Sequence, residues 1–453
     1  MAQMDRNKNL VLRMLYYVVL IMTGFFFFFL VGERGPLIMR DAYSATEKVL
    51  PDGYMIYPMF IDIVRFVFGE ESCVKWVFYI QSVWAIFSAL ILTRWIRKKF
   101  SLSYIVSYIM YVFSLLPYMY SLPEHVLSHE IMTESLAIPV FNIYMIYLIE
   151  FFLNNSKRNL IRMFFLNIIL VFIRPQLLTL LAASIFICII KLMVHFYEKL
   201  DVEKKSFFLF ETGIVSMLIL LGGYAIFIAG IGKFDQLTDA VASKVVYLID
   251  EEDRELFSGT ELEIFDELYT TVDNLKYRHS YYGDSIYETE EIMIAINHNT
   301  MLSYTVFEDC IFEKYTDSDY SGEELLQKTR QLRRGMIVRL LQEHLKDYIF
   351  LTCQLLPYSF VAAIFIQPDA IKQLCYLITL GIYLLTGVLM VMGRKQKEYM
   401  IPIVLTLIVL SINVLLTNMV FYAMQRYVIY TFGWFYISLL VLFIGLLRNK
   451  SNL

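Results

Sequence analysis

Residues 1–31 read MAQMDRNKNLVLRMLYYVVLIMTGFFFFFLV, and this apolar run after a basic start decides the fold class. Roughly 20 apolar residues are needed to cross a bilayer. The run from Leu10 to Val31 reaches that length, and no small-residue cleavage site follows it. We therefore expect a retained helix rather than a cleaved signal peptide. About eleven apolar segments can be marked along the whole chain, and most are long enough to cross a bilayer.

The composition supports the same conclusion. Hydrophobic residues make up 58% of the chain, aromatic residues 16% and charged residues only 18%, which excludes an ordinary soluble globular protein. The short basic clusters lie next to apolar segments, so nucleic-acid binding is excluded as well. Few alanines and many Lys, Ile, Tyr and Phe residues are typical of a bacterium with an AT-rich genome. We predict an all-α polytopic membrane protein with about 10–11 transmembrane helices.

Basic residues beside the apolar segments predict the orientation, because cytoplasmic loops carry an excess of Lys and Arg. Bases before the first span place its start inside, and the segment 32–70 is then outside. The predicted spans up to residue 230 cover 11–31, 74–94, 102–120, 134–153, a hairpin over 163–196, and 207–230. Pro175 breaks that hairpin, since proline removes a backbone donor. Arg174 at such a break needs an anionic partner or a wet cavity.

Three regions follow from this pass: a transmembrane module over 1–230, an extracytoplasmic acidic cap over 231–347, and closing transmembrane helices over 348–453. Acidic residues outnumber basic ones about two to one in the cap. Helical periodicity in residues 323–348 predicts an amphipathic helix on the membrane surface. Its apolar side is formed by Leu325, Leu326, Leu332, Ile337, Leu340 and Leu341. Counting 348–366 as a full crossing puts the basic clusters near 395 and 449 outside. Either that segment is interfacial or re-entrant, or these clusters break the rule.

The stretch that follows the first span holds the first candidate for chemistry. Residues 32–69 read GERGPLIMRDAYSATEKVLPDGYMIYPMFIDIVRFVFG. Asp41 stands a few residues beyond the span, close in sequence to Arg40, Tyr43 and Tyr57. A carboxylate there is placed to accept a proton from a group that reacts at the membrane face.

A second stretch, His129-Glu130-Ile131-Met132-Thr133-Glu134, follows the third span. Glu130 and Glu134 are four residues apart, so a helix would present both on one face. Thr133 occupies the place of the second histidine of HExxH, which argues against a zinc protease. Arg174 and Arg426 add guanidinium groups, whose geometry matches phosphate.

These motifs together resemble the GT-C glycosyltransferases, most closely the protein mannosyltransferase and aminoarabinose transferase branch. The resemblance rests on Asp41-Ala42-Tyr43 and Tyr57-Pro58, then Thr133-Glu134-Ser135-Leu136, Ile173-Arg174-Pro175 and Arg426-Tyr427. It covers mainly residues 1–230. Many relatives have two adjacent acids in the first loop, whereas Ala42 follows Asp41 here.

The resemblance implies an inverting transfer of one sugar from a polyprenyl-phosphate carrier to an acceptor hydroxyl, at the outer face of a bacterial cell membrane. By that analogy Asp41 is the general base, and Glu130 or Glu134 orients acceptor or donor. The implied substrate-binding residues are Arg174, Arg426, Arg40, Tyr43, Tyr57, His129 and Tyr427. The implied partners are the lipid-linked donor and a cell-envelope glycan, lipid or protein acceptor, with no cofactor.

The sequence leaves two other functional hypotheses open. One is an O-antigen-polymerase-like transferase that uses diphosphate-linked oligosaccharides, and the other is a lipid or glycan transporter. Transporters often carry paired repeats with matching broken helices, and this chain has one broken hairpin. The sequence also leaves open the sugar, the acceptor, metal dependence, and a Cys310–Cys353 bridge.

Overall fold

The computed structural model describes residues 2–32, 56–119, 121–122, 125–126, 131–154, 156–197, 235–283, 288–315, 322–365, 372–420 and 425–450. Nearly all of these residues are helical. Two strands of two residues each, Ser121–Leu122 and His125–Val126, pair antiparallel. The chain divides into two compact units. The first comprises Met1–Tyr224, Val361–Asn413 and Gln425–Leu453, and the second comprises Ala225–Phe360 and Val414–Met424.

The helices are numbered here in chain order. Those that precede residue 200 are α1 Ala2–Gly32, α2 Ile56–Phe68, α3 Glu70–Lys99, α4 Tyr104–Leu115, α5 Thr133–Asn154, α6 Lys157–Ile173 and α7 Leu178–Tyr197. Those that follow are α8 Asp235–Leu248, α9 Thr260–Asn274, α10 Thr289–Tyr315, α11 Gly322–Glu343, α12 Leu345–Ala362, α13 Lys372–Gly393, α14 Lys397–Val420, α15 Gln425–Val428 and α16 Phe432–Lys450. Short 3-10 turns occupy Leu116–Met119, Pro175–Leu177, Glu251–Leu256, His279–Tyr281 and Ile429–Thr431.

Five helical segments among the described residues are long and apolar enough to cross a membrane: Glu70–Lys99, Thr133–Asn154, Leu374–Gly393, Lys397–Val420 and Gln425–Arg448. Shorter apolar helices cover Val11–Phe27, Tyr104–Met119 and Pro175–Lys191. These segments identify an all-α membrane protein. The predicted total of 10–11 spans, their orientation and the crossing at 348–366 stay predictions, and the span predicted at 207–230 lies outside the described residues.

Helix α5 forms the centre of the first unit, where it packs against α3 and α6. Phe141, Tyr144 and Met145 on α5 are fully buried, and Trp434 of α16 joins the same core. Polar side chains also link these helices. The Trp434 indole N–H donates to Asn142 Oδ1 at 3.0 Å. Interhelical hydrogen bonds of this kind hold membrane helices together, because water is not there to compete for the polar groups.

Helix α6 ends at Ile173, and Pro175 begins the turn that leads into α7, so the predicted break of this hairpin is confirmed. Arg174 lies between the two elements with an extended backbone, φ −152° and ψ 111°. Its amide N–H donates to the Leu170 carbonyl at 2.9 Å and closes the last turn of α6. An extended conformation is the one that a residue before proline prefers.

The second unit is a bundle in which α8 packs against α10 and α11. The predicted amphipathic helix is α11, with Leu325, Ile337 and Leu340 buried. Its apolar side packs into the core of this unit, beside α8 and α10. Protein side chains therefore cover this side, and the position of α11 along the membrane surface stays a prediction.

Cys310 and Cys353 do not form the disulfide bridge that the sequence left open.

Candidate functional site

The candidate site in the first unit forms where α5 begins beside the break between α6 and α7. Helix α5 starts at Thr133, which places Glu134 in its first turn. An acidic residue is favoured there by the partial positive charge at a helix N-terminus. The Ser135 amide donates to the Met132 carbonyl at 3.2 Å and fixes the entry into the helix.

Glu134 and Arg174 form a buried ion pair between Oε1 and NH1. The Glu134 side chain is 0% exposed and that of Arg174 is 5% exposed. Removing a charged group from water costs on the order of several kcal/mol per ion. The attraction between the two charges offsets this cost only when further hydrogen bonds satisfy both groups. The pair thus supplies the anionic partner that Arg174 was expected to need.

Two neighbours complete the hydrogen bonds of this pair. The Thr133 hydroxyl donates to Glu134 Oε2 at 2.9 Å and accepts from Arg174 NH1 at 3.3 Å. Arg174 Nε donates to Gln176 Oε1 at 2.9 Å. Charge-assisted hydrogen bonds from several directions fix the orientation of a guanidinium group. Arg174 is therefore held in one position by residues of α5 and of the turn that follows the break.

A second guanidinium group, that of Arg426, shares an aromatic partner with Arg174. The Cζ atoms of Arg174 and Arg426 lie 4.9 and 5.0 Å from the ring centroid of Tyr427. Arg426 NH2 also donates to the Tyr427 hydroxyl at 3.0 Å. Glu134 interacts electrostatically with both arginines. We call Thr133, Glu134, Arg174, Arg426 and Tyr427 the buried charge cluster.

Asn413 of α14 joins this cluster to α7. It accepts a hydrogen bond from the Thr179 hydroxyl at 2.7 Å and donates to the Tyr427 carbonyl at 2.9 Å. Asn413 is 1% exposed, so both bonds are protected from water. Asn413 therefore connects the Arg426-Tyr427 segment to Thr179 on α7.

Tyr57 of α2 is linked through Gln81 of α3 to the segment that precedes Glu134. Its hydroxyl accepts a hydrogen bond from Gln81 Nε2 at 2.8 Å, and Gln81 Nε2 also donates to the Met132 carbonyl at 3.4 Å. Tyr57 is 1% exposed and interacts electrostatically with Glu134. Gln81 thus couples α2 to the residues that immediately precede the cluster.

The structure brings together four of the residues that the sequence singled out, namely Glu134, Arg174, Arg426 and Tyr427, with Tyr57 close to Glu134. Five others, Asp41, Arg40, Tyr43, His129 and Glu130, lie outside the described residues. Helix α5 begins at Thr133 and residues 131–132 are not helical. Because Glu130 lies outside the described residues, its pairing with Glu134 on one helix face stays a prediction.

Sequence reasoning missed Thr133, Gln176, Gln81 and Asn413. A polar residue inside an apolar segment is a usable signal, because such residues face protein or water rather than lipid. Asn413 carries that signal. Thr133 belongs to the Thr133-Glu134-Ser135-Leu136 motif, but the sequence does not show that its hydroxyl bridges both members of the ion pair. Within the described parts of the chain, no three His, Cys, Asp or Glu side chains converge as a metal site would require.

The fold and the cluster define an all-α membrane protein with two arginines and a glutamate gathered at a helix break. No protein-family model, curated protein or solved structure matches the chain.

Proposed function

We propose that the protein is a glycosyltransferase of the GT-C type, which transfers a sugar from a polyprenyl-phosphate donor to an acceptor hydroxyl at the extracytoplasmic face of a bacterial membrane. The observation that carries the proposal is the convergence of Arg174 and Arg426 on Tyr427, beside the helix break. Planar guanidinium groups bind phosphate through paired hydrogen bonds. A break in a membrane helix is also where charged groups are tolerated and used.

In the proposed reaction, Asp41 and the two arginines have separate roles. The acceptor oxygen attacks the anomeric carbon, its O–H proton passes to the Asp41 carboxylate, and the bond from the anomeric carbon to the phosphate oxygen breaks. The phosphate leaves with the electron pair, and the configuration at the anomeric carbon inverts. Guanidinium groups placed at the departing anion stabilise the developing charge, which is the largest single contribution in many enzymes.

Burial gives Glu134 a narrower role than the resemblance alone implied. Its side chain is 0% exposed and bound to Arg174 and Thr133. A carboxylate in that position holds a phosphate-binding arginine in place, so another acidic group has to accept the proton of the acceptor hydroxyl. We therefore propose Glu134 as a positioning residue and Asp41 as the general base.

The test is transfer of a labelled sugar from a polyprenyl-phosphate donor by the purified protein in detergent or nanodiscs. We expect Asp41→Asn to lower kcat by about 100-fold or more, the usual contribution of a general base. Arg174→Met should raise the KM for the donor and lower kcat, because phosphate binding and leaving-group stabilisation are both lost. Arg158→Met is the matched control, since Arg158 is an exposed arginine of the same hairpin and should leave both constants unchanged.

Full transfer by Asp41→Asn would remove Asp41 as the base. Binding of the donor without its consumption by the wild-type protein, together with movement of the intact lipid across a vesicle membrane, would replace the transferase with a transporter. If the protein consumes only diphosphate-linked oligosaccharides, the O-antigen-polymerase-like hypothesis would be favoured.

A further inference from the structure

A second site lies in the second unit, in a cavity of about 500 Å³ between the end of α8, the turn at His279–Tyr281 and the start of α12. Binding pockets for small molecules usually have volumes of about 300–1,000 Å³. Aromatic, acidic and polar residues line this cavity, among them Tyr247, Asp250, Tyr282, His344, Asp347 and Phe350. None of them belongs to the buried charge cluster, so the cavity needs its own explanation.

Aromatic rings form one part of the wall. The rings of Tyr247 and Tyr282 lie 5.9 Å apart at an interplanar angle of 39°. The His279 ring is 6.4 Å from that of Tyr247. Phe350 is 57% exposed, so its ring is open to a ligand that enters from solvent. Aromatic faces attract the apolar face of a ligand and, through their negative π-surfaces, a cation.

Carboxylates form another part of the wall, and they outnumber the cations that they contact. Asp250 lies 3.3 Å from Arg278 and 3.7 Å from His279. The guanidinium of Arg278 is held more closely by Asp273, at 2.5 Å. Asp347, with a side chain that is 62% exposed, lies 3.8 Å from His344 Nδ1.

His344 itself is held by another acid. Its Nε2 lies 2.8 Å from the Asp253 carboxylate, and this hydrogen bond raises the pKa of His344. Even when both His279 and His344 are counted as cations, the described groups in and directly behind the wall comprise four carboxylates (Asp250, Asp253, Asp273 and Asp347) against three cations, of which the third is Arg278. The cavity therefore favours a cation and disfavours an anion.

Hydrogen-bonding groups complete the lining. Gln354 donates to the Gly283 carbonyl at 3.2 Å, which fixes its side chain at the cavity. Ser280 adds a hydroxyl. A simple alkylammonium would leave these groups unused, whereas a sugar carries hydroxyls that can satisfy them.

From these observations we infer that the cavity binds a saccharide that bears a protonated amine. The sugar ring packs on Tyr247, Tyr282 and Phe350, the amine contacts Asp250 and Asp347, and the hydroxyls bond to Ser280 and Gln354. This inference does not depend on the transferase activity, and a binding measurement tests it without turnover.

The experiment is isothermal titration of the full-length protein in detergent with three probes of equal length: a glucosamine tetrasaccharide, its fully N-acetylated counterpart, and a galacturonic acid tetrasaccharide. We expect the glucosamine probe to bind at least tenfold more tightly than the acetylated probe, and no binding of the anionic probe. Tighter binding of the acetylated or the anionic probe would overturn the inference.

Variants separate a built site from general attraction between a polycation and an acidic surface. Asp347→Asn should weaken the glucosamine probe about tenfold and leave the acetylated probe unchanged, whereas Tyr282→Leu should weaken both and Tyr282→Phe neither. The control is Glu267→Gln on the exposed side of α9, which should have no effect. An equal effect of Glu267→Gln and Asp347→Asn would overturn the site. Binding of tetralysine as tight as that of the glucosamine probe, with the same dependence on Asp347, would show a peptide ligand and overturn the saccharide assignment.

Discussion

The ion pair between Glu134 and Arg174 permits a sharp test of the structure by a double-mutant cycle. Both side chains are at most 5% exposed, so removal of one leaves the other as a buried charge. Breaking a buried pair in this way costs about 3–5 kcal/mol. We expect Arg174→Met and Glu134→Met each to lower the free energy of unfolding by an amount in that range.

The double variant should behave differently. Replacement of both members of a buried ion pair by apolar residues of similar volume is often neutral, or stabilising by about 1–4 kcal/mol. We therefore expect Arg174→Met/Glu134→Met to be no less stable than either single variant and close to the wild-type protein. The coupling energy should exceed about 2 kcal/mol.

The assay is equilibrium chemical unfolding of the purified protein in detergent, followed by the loss of helical circular dichroism. The control cycle uses Arg254 and Asp266, which form a 2.8 Å ion pair at the surface with side chains 58% and 40% exposed. Exposed pairs of this kind typically couple by about 0.2–1 kcal/mol. Additive losses at Glu134 and Arg174, or a coupling no larger than that of the surface pair, would refute the buried geometry.

Three further perturbations have expected outcomes. Asn413→Leu removes the hydrogen bonds to Thr179 and to the Tyr427 carbonyl; we expect chemical unfolding to show a loss of about 1–2 kcal/mol. Gly433→Ala would place a Cβ atom 2.9 Å from the Phe113 carbonyl oxygen, whereas Gly381→Ala meets nothing within 4 Å. Thermal unfolding should therefore show a loss of about 1–3 kcal/mol only for Gly433→Ala. Burial lowers the pKa of Lys244 to about 7 from an ordinary value of 10.5. Between these two pH values the unfolded chain binds more protons than the folded protein, so the free energy of unfolding should rise with pH. Lys244→Met should remove that rise in unfolding curves recorded from pH 6.5 to 10, and an unchanged slope would contradict the burial of Lys244.

The helices were the part of the fold that could be predicted from local sequence. The break after Ile173 follows from Arg174-Pro175 itself, because proline ends a helix whatever lies around it. The apolar segments at 74–94, 134–153 and 401–423 correspond to α3, α5 and α14. Composition and length decide these elements, and both are visible without knowledge of the tertiary structure.

The partners of each helix could not be predicted in the same way. The apolar side of α11 is evident from its periodicity, yet nothing in residues 322–343 tells whether lipid or α8 and α10 will cover it. Glu134 and Arg174 are 40 positions apart, and their contact depends on how α5 packs against the hairpin. The sequence indicated that Arg174 needs an anion, and only the packing of the helices identifies Glu134 as that anion.

The stability of the buried charge cluster also bears on why these residues are there. Apolar residues would fill the same space at no loss of stability, and often with a gain. Burial of ionisable groups within membrane helices is costlier still, so such groups usually mark a functional pathway. The cluster combines that cost with several fixed contacts: Thr133 and Gln176 orient Arg174, and Asn413 anchors the segment that carries Arg426. Two immobilised guanidinium groups at a helix break do not stabilise the fold more than apolar side chains would. They are, however, preorganised to bind an oxyanion in a fixed position. This preorganisation supports the proposal that the cluster binds a lipid-linked phosphate.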